Sequence, residues 1–370
     1  MCGAVNVPPD DDGWPELLGQ QFEDFAADEG ERIPMYAQIC AGAAHDAEVL
    51  ELLLAAPIGQ RRPVLFLAAL HDLVLSDPTV EVAPWFTTVT AQQAPSEDAW
   101  PAARRTVLAH AEYLREVFAT RSTQTNEPNR SALWSIAVPW VAAEVERPVA
   151  LVELGCSAAL NLRWDHYGLE LDGELVRRPD ARTIVQTVVR HGVAPIASLP
   201  DVAARIGIDL SPIDLHDERE ARWLRACVWP EQMHRFARFD DAVADLLADR
   251  DPPRLVAGDA LEQVVAAIEG LPTDLHVVVT WSWFLTYLHG PRRGALDALL
   301  DAVGRDRPLT LISAEASGTH RSFVDPGLDG DDPAEFRTIV GISRWRDGHR
   351  SDEVVARCHA HLTWLDWLAS

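Results

Sequence analysis

Two hydrophobic rhythms divide the chain. From Trp14 to about Glu146 apolar residues recur at helical spacing, as in Val64, Leu67, Ala68, Leu70 and Leu75, and the pattern breaks at Pro34, Pro57, Pro63, Pro78 and Pro95. This spacing predicts five or six helices. One run opens at Ser96, where a serine precedes Glu97 and Asp98; acids in a first turn suit the positive end of the helix dipole, and the run is expected to reach Phe118. After Pro148 the rhythm changes to short continuous apolar runs, Val149 to Leu154, Ile206 to Leu210, Leu255 to Ala257, His276 to Thr280 and Leu309 to Ser313. Such runs are buried strands, and the stretches Ala260 to Ile268 and Gly294 to Val303 between them carry helical periodicity. Alternating strands and helices predict a parallel sheet with right-handed crossovers. Near the end, Thr338 to Arg346 and Glu353 to Thr363 flank the turn pair Asp347-Gly348, which predicts a closing antiparallel hairpin. The chain is therefore expected to be α/β, with an all-helical N-terminal domain over 1–147 and the sheet domain over 148–370.

Composition narrows the chemistry. All 32 basic residues are arginine, so Schiff-base lysines, the P-loop lysine and the kinase strand lysine are excluded. The formal charge of -25, shared by the two halves, repels a polyanionic backbone, and nucleic acid is not expected as a partner. Five cysteines, Cys2, Cys40, Cys156, Cys227 and Cys358, form no CxxC pair and fit free thiols in a reducing compartment. The start MCGAVNVPPDDD is acidic where a signal peptide needs a basic region, and the longest uncharged apolar stretch, Ser131 to Ala143, is too short to span a bilayer. A cytoplasmic protein without a membrane partner is the expectation. The segment DPGLDGDDP, Asp325 to Pro333, has no apolar anchor and is expected to be a mobile surface loop.

The sharpest motif is VALVELGCSAALNL, Val149 to Leu162, an apolar strand entering a tight small-residue loop and leaving into a helix. Such a turn frees backbone N–H groups to face a ligand. With Glu153 two residues before Gly155, it resembles motif I of class I S-adenosylmethionine-dependent methyltransferases, although Ala159 stands where that motif has its last glycine. GIDLSP at Gly207 to Pro212 resembles that family's second strand and VAGDA at Val256 to Ala260 its third, while VVVTWSW at Val277 to Trp283 falls where the fourth delivers substrate-facing groups. The terminal hairpin agrees with the antiparallel last strand of that fold.

The resemblance implies a Rossmann-like sheet domain that binds S-adenosylmethionine through Glu153, Gly155, Ser157, Asn161, Asp209 and Asp259, with Asp209 on the ribose and Asp259 on the adenine amine. Taken singly, the same acids equally suit caps of the helices that follow them. About 40 residues between Trp164 and Ile206 stand where the family has one helix, and they either cover the pocket or decorate the surface. The whole chain also resembles an uncharacterised bacterial family, domain of unknown function 2332, in QTNEPNR (Gln124 to Arg130), ELGCSAALNLRW, WPEQ at Trp229 to Gln232, AGDA, Ser313 to Glu315 and His359-Ala360-His361.

Other residues complete the candidate site. Asn126, Glu127 and Arg130 are expected either to start a helix or to reach a cofactor or substrate carboxylate, since arginine pairs carboxylates bidentately. Trp281 and Trp283 at a strand's C-terminal end are candidates for the wall of a substrate pocket. His359 and His361, two apart on a predicted strand, would share a face, as packed groups or as metal ligands lacking a third. Methyl transfer needs in-line positioning and at most one base, for which Glu315 and His361 are the candidates. The resulting expectation is methyl transfer to a small-molecule acceptor, with the helical half as substrate cap. Two alternatives stand beside it: a noncatalytic binding protein of the same fold, and an α/β-hydrolase in which Gly155-Cys156-Ser157-Ala158-Ala159 is the nucleophile elbow and Ser157 the nucleophile.

Overall fold

The computed structural model describes residues 13–90, 94, 98–328, 331, 335 and 337–369. Cys2 and the helix start at Ser96 lie outside them. Seven α-helices precede the first strand among the described residues: α1 (Trp14–Glu29), α2 (Pro34–Ala43), α3 (Ala47–Leu53), α4 (Pro63–Ser76), α5 (Ala99–Ala109), α6 (Ala111–Thr120) and α7 (Ser131–Ala142). Two of the prolines that interrupt the hydrophobic pattern, Pro34 and Pro63, open α2 and α4, where a missing N–H breaks no helical bond. The run expected to continue to Phe118 is split at His110, whose φ of -115° and ψ of 27° leave the helical range.

The chain forms two units, one of residues up to Thr125 with Asp214–Asp240, the other of Asn126–Ile213 with Asp241–Ser370. The division expected after residue 147 is thus drawn earlier, α7 goes with the sheet, and a later segment returns to the helices. That segment carries α8 (Glu218–Ala226) and the start of α9 (Met233–Leu247). Its polar bonds explain the return. Glu231 of the WPEQ run accepts from the Met35 and Tyr36 backbone N–H groups at the start of α2 (3.0 and 3.4 Å), the Arg222 guanidinium donates to Asp72 (2.8 Å), and His71 Nδ1 bonds the Ala226 carbonyl (3.0 Å). The apolar core of this unit runs from Trp14, Leu18 and Phe22 through Phe66, Phe86 and Phe118 to Trp223.

The second unit holds β1 (Val149–Leu154), β2 (Gly168–Leu171), β3 (Glu174–Arg177), β4 (Ile184–His191), β5 (Val202–Asp209), β6 (Arg254–Ala257), β7 (His276–Ser282), β8 (Leu309–Ala316), β9 (Thr338–Arg346), β10 (His349–Cys358) and β11 (Trp364–Trp367), with α10 (Ala260–Glu269) and α11 (Gly290–Asp306). Eleven strands among the described residues form one sheet in the order β3-β2-β4-β11-β10-β9-β8-β7-β1-β5-β6. The strands from β8 to β6 pair in parallel, while β8–β9, β9–β10, β10–β11 and β2–β3 are antiparallel. The fold is therefore α/β with an N-terminal helical part and a mostly parallel sheet.

Three expectations are corrected here. The hairpin does not end the sheet, because β11 follows it and pairs with β10 and β4. It is the hairpin's first strand, β9, that lies against β8. The stretch after Trp164, where one helix is the pattern, carries β2, β3 and β4, which widen the sheet. The segment from Asp325 is held by charge in place of an apolar anchor, since the fully buried Arg357 donates to Asp325 (3.4 Å) and Asp331 (2.6 Å); residues 329, 330, 332 and 333 lie outside the described ones.

On one face of the parallel strands Ala150, Val152, Leu154, Val277, Val279, Leu309 and Leu311 pack with α10 and α11 residues such as Val264, Ile268, Leu296 and Leu300. Because side chains alternate along a strand, Glu153 stands on the other face of β1. No helix among the described residues is long and apolar enough to cross a membrane.

Candidate functional site

The C-terminal ends of β1, β5 and β6, neighbours in the sheet, bring three loops together. β1 is buried throughout and leads into Gly155 (φ 74°), Ser157 (φ 53°) and Ala159 (φ 59°) before a 3-10 turn over Leu160–His166. Left-handed backbone is unusual for residues with a side chain and clusters at working turns. The loop is pinned to β5 by the Gly155 N–H donating to the Ile208 carbonyl (2.8 Å) and the Ser157 N–H to Asp209 Oδ2 (2.9 Å). Asp209 Oδ1 accepts from the Ser211 N–H (3.0 Å), and the Asp209 carbonyl from the Gly258 N–H (2.9 Å). A Cβ at Gly155 would lie 2.9 Å from Phe284 Cδ2, so glycine there serves both the positive φ and the close ring. A Cβ at Gly207 would lie 2.6 Å from Cys156 Sγ; the thiol fills that space, and burial followed by the Glu153 and Asp209 charges pushes its pKa up.

Glu153 and Glu315 are the electrostatic centre. Glu153, at the end of β1, is 4% exposed; burial, then the Asp209 charge, pushes its carboxyl up to about 8, against the pull of Arg130. Its Oε2 has no hydrogen-bond partner among the described residues. Glu315, near the end of β8, is 1% exposed. Its Oε1 accepts from the Phe284 and Leu285 N–H groups (both 2.8 Å), its Oε2 has no partner among the described residues, and burial raises it to about 7 against those two bonds, Arg130 and Arg293. Arg130, buried just before α7, donates through Nε to the Ala360 carbonyl (3.1 Å). A buried carboxyl with an open oxygen is what a ligand or water normally completes.

The remaining expected residues divide into caps, core and loop. Asn126 Oδ1 accepts from the Leu160 N–H (3.3 Å), Asn161 Oδ1 from the Ser131 hydroxyl (2.9 Å) and Glu127 Oε1 from the Asn129 N–H (3.1 Å), so all three brace the turns around the site. Asp259 caps α10 by accepting from the Leu261 N–H (2.9 Å) and pairs with Arg292. Trp281 is drawn into the core at 1% exposure, its indole N–H on the Ser313 hydroxyl (2.7 Å), because alternation puts it on the face of Val277 and Val279. Trp283 is half-buried, carries a φ of 59°, and donates to Thr338 Oγ1 (3.2 Å).

His359 and His361 do not share a strand face. β10 stops at Cys358, and the two rings sit in the turn before β11, where the His361 N–H donates to His359 Nδ1 (3.1 Å) and Leu362 turns at φ 55°.

Three side chains escaped the sequence reading. Asn129 is one residue from Arg130; its amide donates to the Gln186 and His361 carbonyls (2.9 and 2.8 Å) and accepts from the Gln186 N–H (2.8 Å), tying β4 and the β10–β11 turn to the start of α7. Its signal was its place inside QTNEPNR. Phe284, in the β7–α11 loop, and Arg292, in the first turn of α11, gave no signal beyond following the WSW run, since contacts with Gly155 and Asp259 are made across the fold.

A family model for an uncharacterized protein conserved in bacteria, DUF2332, matches residues 19–367, and the chain belongs to that family. No curated protein matches the chain.

Proposed function

We propose that this member of the DUF2332 family transfers a methyl group from S-adenosylmethionine to a small-molecule acceptor, on a Rossmann-like half built from β6-β5-β1-β7-β8. The observation that carries the reading is Glu153, a buried carboxyl with one open oxygen at the tip of β1, beside Asp209 at the tip of β5 and under the left-handed Gly155 turn. Ligands of open α/β sheets bind outside the C-terminal ends of the strands, and here those ends carry acids in the order that the resemblance implies.

The donor chemistry of these residues supports the cofactor reading. Glu153, Gly155, Ser157, Asn161, Asp209 and Asp259 would hold it: the Asp209 and Asp259 carboxylates accept from loop N–H groups and still keep lone pairs for ribose hydroxyls and an amine. When bound, it supplies an electrophilic methyl group. Glu315, buried and poised near neutrality, is the group to take a proton from the acceptor, and its bonds to the Phe284 and Leu285 N–H groups fix its position. In this reading Arg130 would pair an acceptor or cofactor carboxylate, and Trp283 would wall the acceptor's side.

One observation favours a noncatalytic binding protein of the same fold: Phe284 lies against Gly155 and Arg292 against Asp259, over the two positions the cofactor would approach. One favours the hydrolase, the left-handed Ser157; against it, no strand precedes β1 among the described residues, whereas that sheet needs strands ahead of its elbow. Titration calorimetry with S-adenosylmethionine separates these. Binding weakened by roughly 1 to 3 kcal/mol in Asp209→Ala supports the methyltransferase, that being the usual cost of removing a partner from buried polar groups. No heat at millimolar ligand removes the cofactor reading, and stoichiometric fluorophosphonate labelling abolished by Ser157→Ala would replace it with acyl transfer.

A further inference from the structure

Glu153 has surroundings that prescribe what it can recognise. Its neighbours on β5 and β7 in the sheet register are Gly207 and Thr280, neither of which offers a charge. The ionisable groups felt at this position come from four places: Asp209 at the tip of β5, Arg130 before α7, Cys156 in the loop that Glu153 opens, and Tyr167 after the 3-10 turn. Burial raises both Cys156 and Tyr167, so neither ionises at neutral pH. That leaves one anion, Asp209, and one cation, Arg130. A second carboxylate at Glu153 would be uncompensated and buried, which is strongly disfavoured. The carboxyl therefore stays an acid, with Oε2 open.

Resting on the cofactor reading above, we propose that Glu153 is the residue by which the site distinguishes a cationic ligand from its neutral counterpart: it holds a proton in the free protein and releases it to solvent when a cation is seated. S-adenosylmethionine carries a sulfonium, and S-adenosylhomocysteine, otherwise the same molecule, carries a neutral thioether. The sulfonium supplies the positive charge that the Glu153 surroundings lack, so the ionised carboxylate becomes the favoured form. Once the methyl group has left and the sulfur is neutral, Glu153 takes a proton back from solvent. The attraction that held the cation is then lost, which favours release of the product over the substrate. Glu153 is a specificity-determining residue in this scheme, and Glu315 keeps the proton chemistry of the acceptor.

The test is calorimetric proton counting with the intact protein in two buffers of different ionisation heat. At about pH 6.5, below the Glu153 value of about 8, the wild type should release close to one proton on binding S-adenosylmethionine and almost none on binding S-adenosylhomocysteine. Glu153→Gln should abolish the difference and shift relative affinity toward S-adenosylhomocysteine. Asp209→Asn, which leaves burial in place but removes the repulsion that adds to it in keeping the acid neutral, should lower the release linked to S-adenosylmethionine and gives a second readout should Glu153→Gln fail to fold. Equal release with both ligands, or a difference that persists in Glu153→Gln, overturns the proposal while leaving the cofactor reading in place. No heat with either ligand overturns the cofactor reading and the proposal together.

Discussion

Two sets of buried polar groups, one in each unit, are treated in opposite ways. In the helical unit, His71 is fully buried and both ring nitrogens are bonded, Nδ1 to the Ala226 carbonyl (3.0 Å) and Nε2 to Thr88 Oγ1 (2.9 Å). Asp72 on the same helix takes the Arg222 guanidinium and the Tyr113 hydroxyl. At the C-terminal edge of the parallel strands, Glu153 and Glu315 are equally buried, yet each keeps one oxygen without a partner among the described residues. Completed bonds return the desolvation cost and hold elements together; an open one costs about 1 to 3 kcal/mol and persists where something else needs it. Polar burial alone therefore does not mark a site. The difference lies in what is left unbonded.

The hardest way to break the comparison is to remove one member of a buried ion-pair network. Arg357 and Asp366 are both fully buried and 2.9 Å apart, with Asp331 on the same guanidinium. Asp366→Ala should destabilise the sheet unit by roughly 1.5 to 3 kcal/mol in urea unfolding, because it removes a buried charged partner shared by Arg357 and Arg190. A loss below about 1 kcal/mol would show the network to be as dispensable as a surface pair.

The pH dependence should run in opposite directions. Burial pushes His71 down to about 3, below its unfolded value of 6.5, so the unfolded state binds the extra proton. Its contribution is complete above about pH 6.5 and is lost as pH falls toward 3, with a slope near 1.4 kcal/mol per pH unit. His71→Gln should flatten that limb, measured by denaturation of the helical unit at a series of pH values. Glu153 is raised from 4.5 to about 8, so the folded state holds the extra proton and stability falls as pH rises across that window. Glu153→Gln should remove this decline and leave the protein at least as stable as wild type near pH 8, a result that a carboxyl with completed bonds would not give.

The smallest effect concerns the β1 turn. Ala159 sits at φ 59°, where a side chain costs about 1 to 2 kcal/mol relative to glycine. Ala159→Gly should therefore change stability by less than about 1 kcal/mol in either direction, since relief of strain is offset by the freer unfolded chain. S-adenosylmethionine binding should be unchanged or tighter; weaker binding would mean that the Ala159 methyl group itself contacts the ligand.

Much of this architecture is local in origin and was legible in the chain. Val149–Leu154, Thr338–Arg346 and the helix after Asp259 stand where continuous apolar runs, a turn pair and helical periodicity put them. Asp347 and Gly348 turn at φ 51° and 76°, as that pair favours. Glu153, Gly155 and Asp209 come together because strand, tight loop and acid-tipped strand are each encoded within a few residues and parallel pairing does the rest. Other features depend on partners far away in sequence. Glu231 belongs with the helices because it caps α2 across 196 positions, and β2, β3 and β4 join the sheet through β11 at its other end. Trp281 became core while Trp283 stayed at the edge, and Phe284 came to lie on Gly155, because strand register, a property of the assembled sheet, decides which face and which neighbour a side chain meets. Periodicity and turn chemistry act over one or two turns of chain, so the sequence by itself determined the elements and the acids at their ends. Only the tertiary structure decided which carboxyl oxygens would be bonded and which left open, since desolvation and pairing are set by groups that folding brings together.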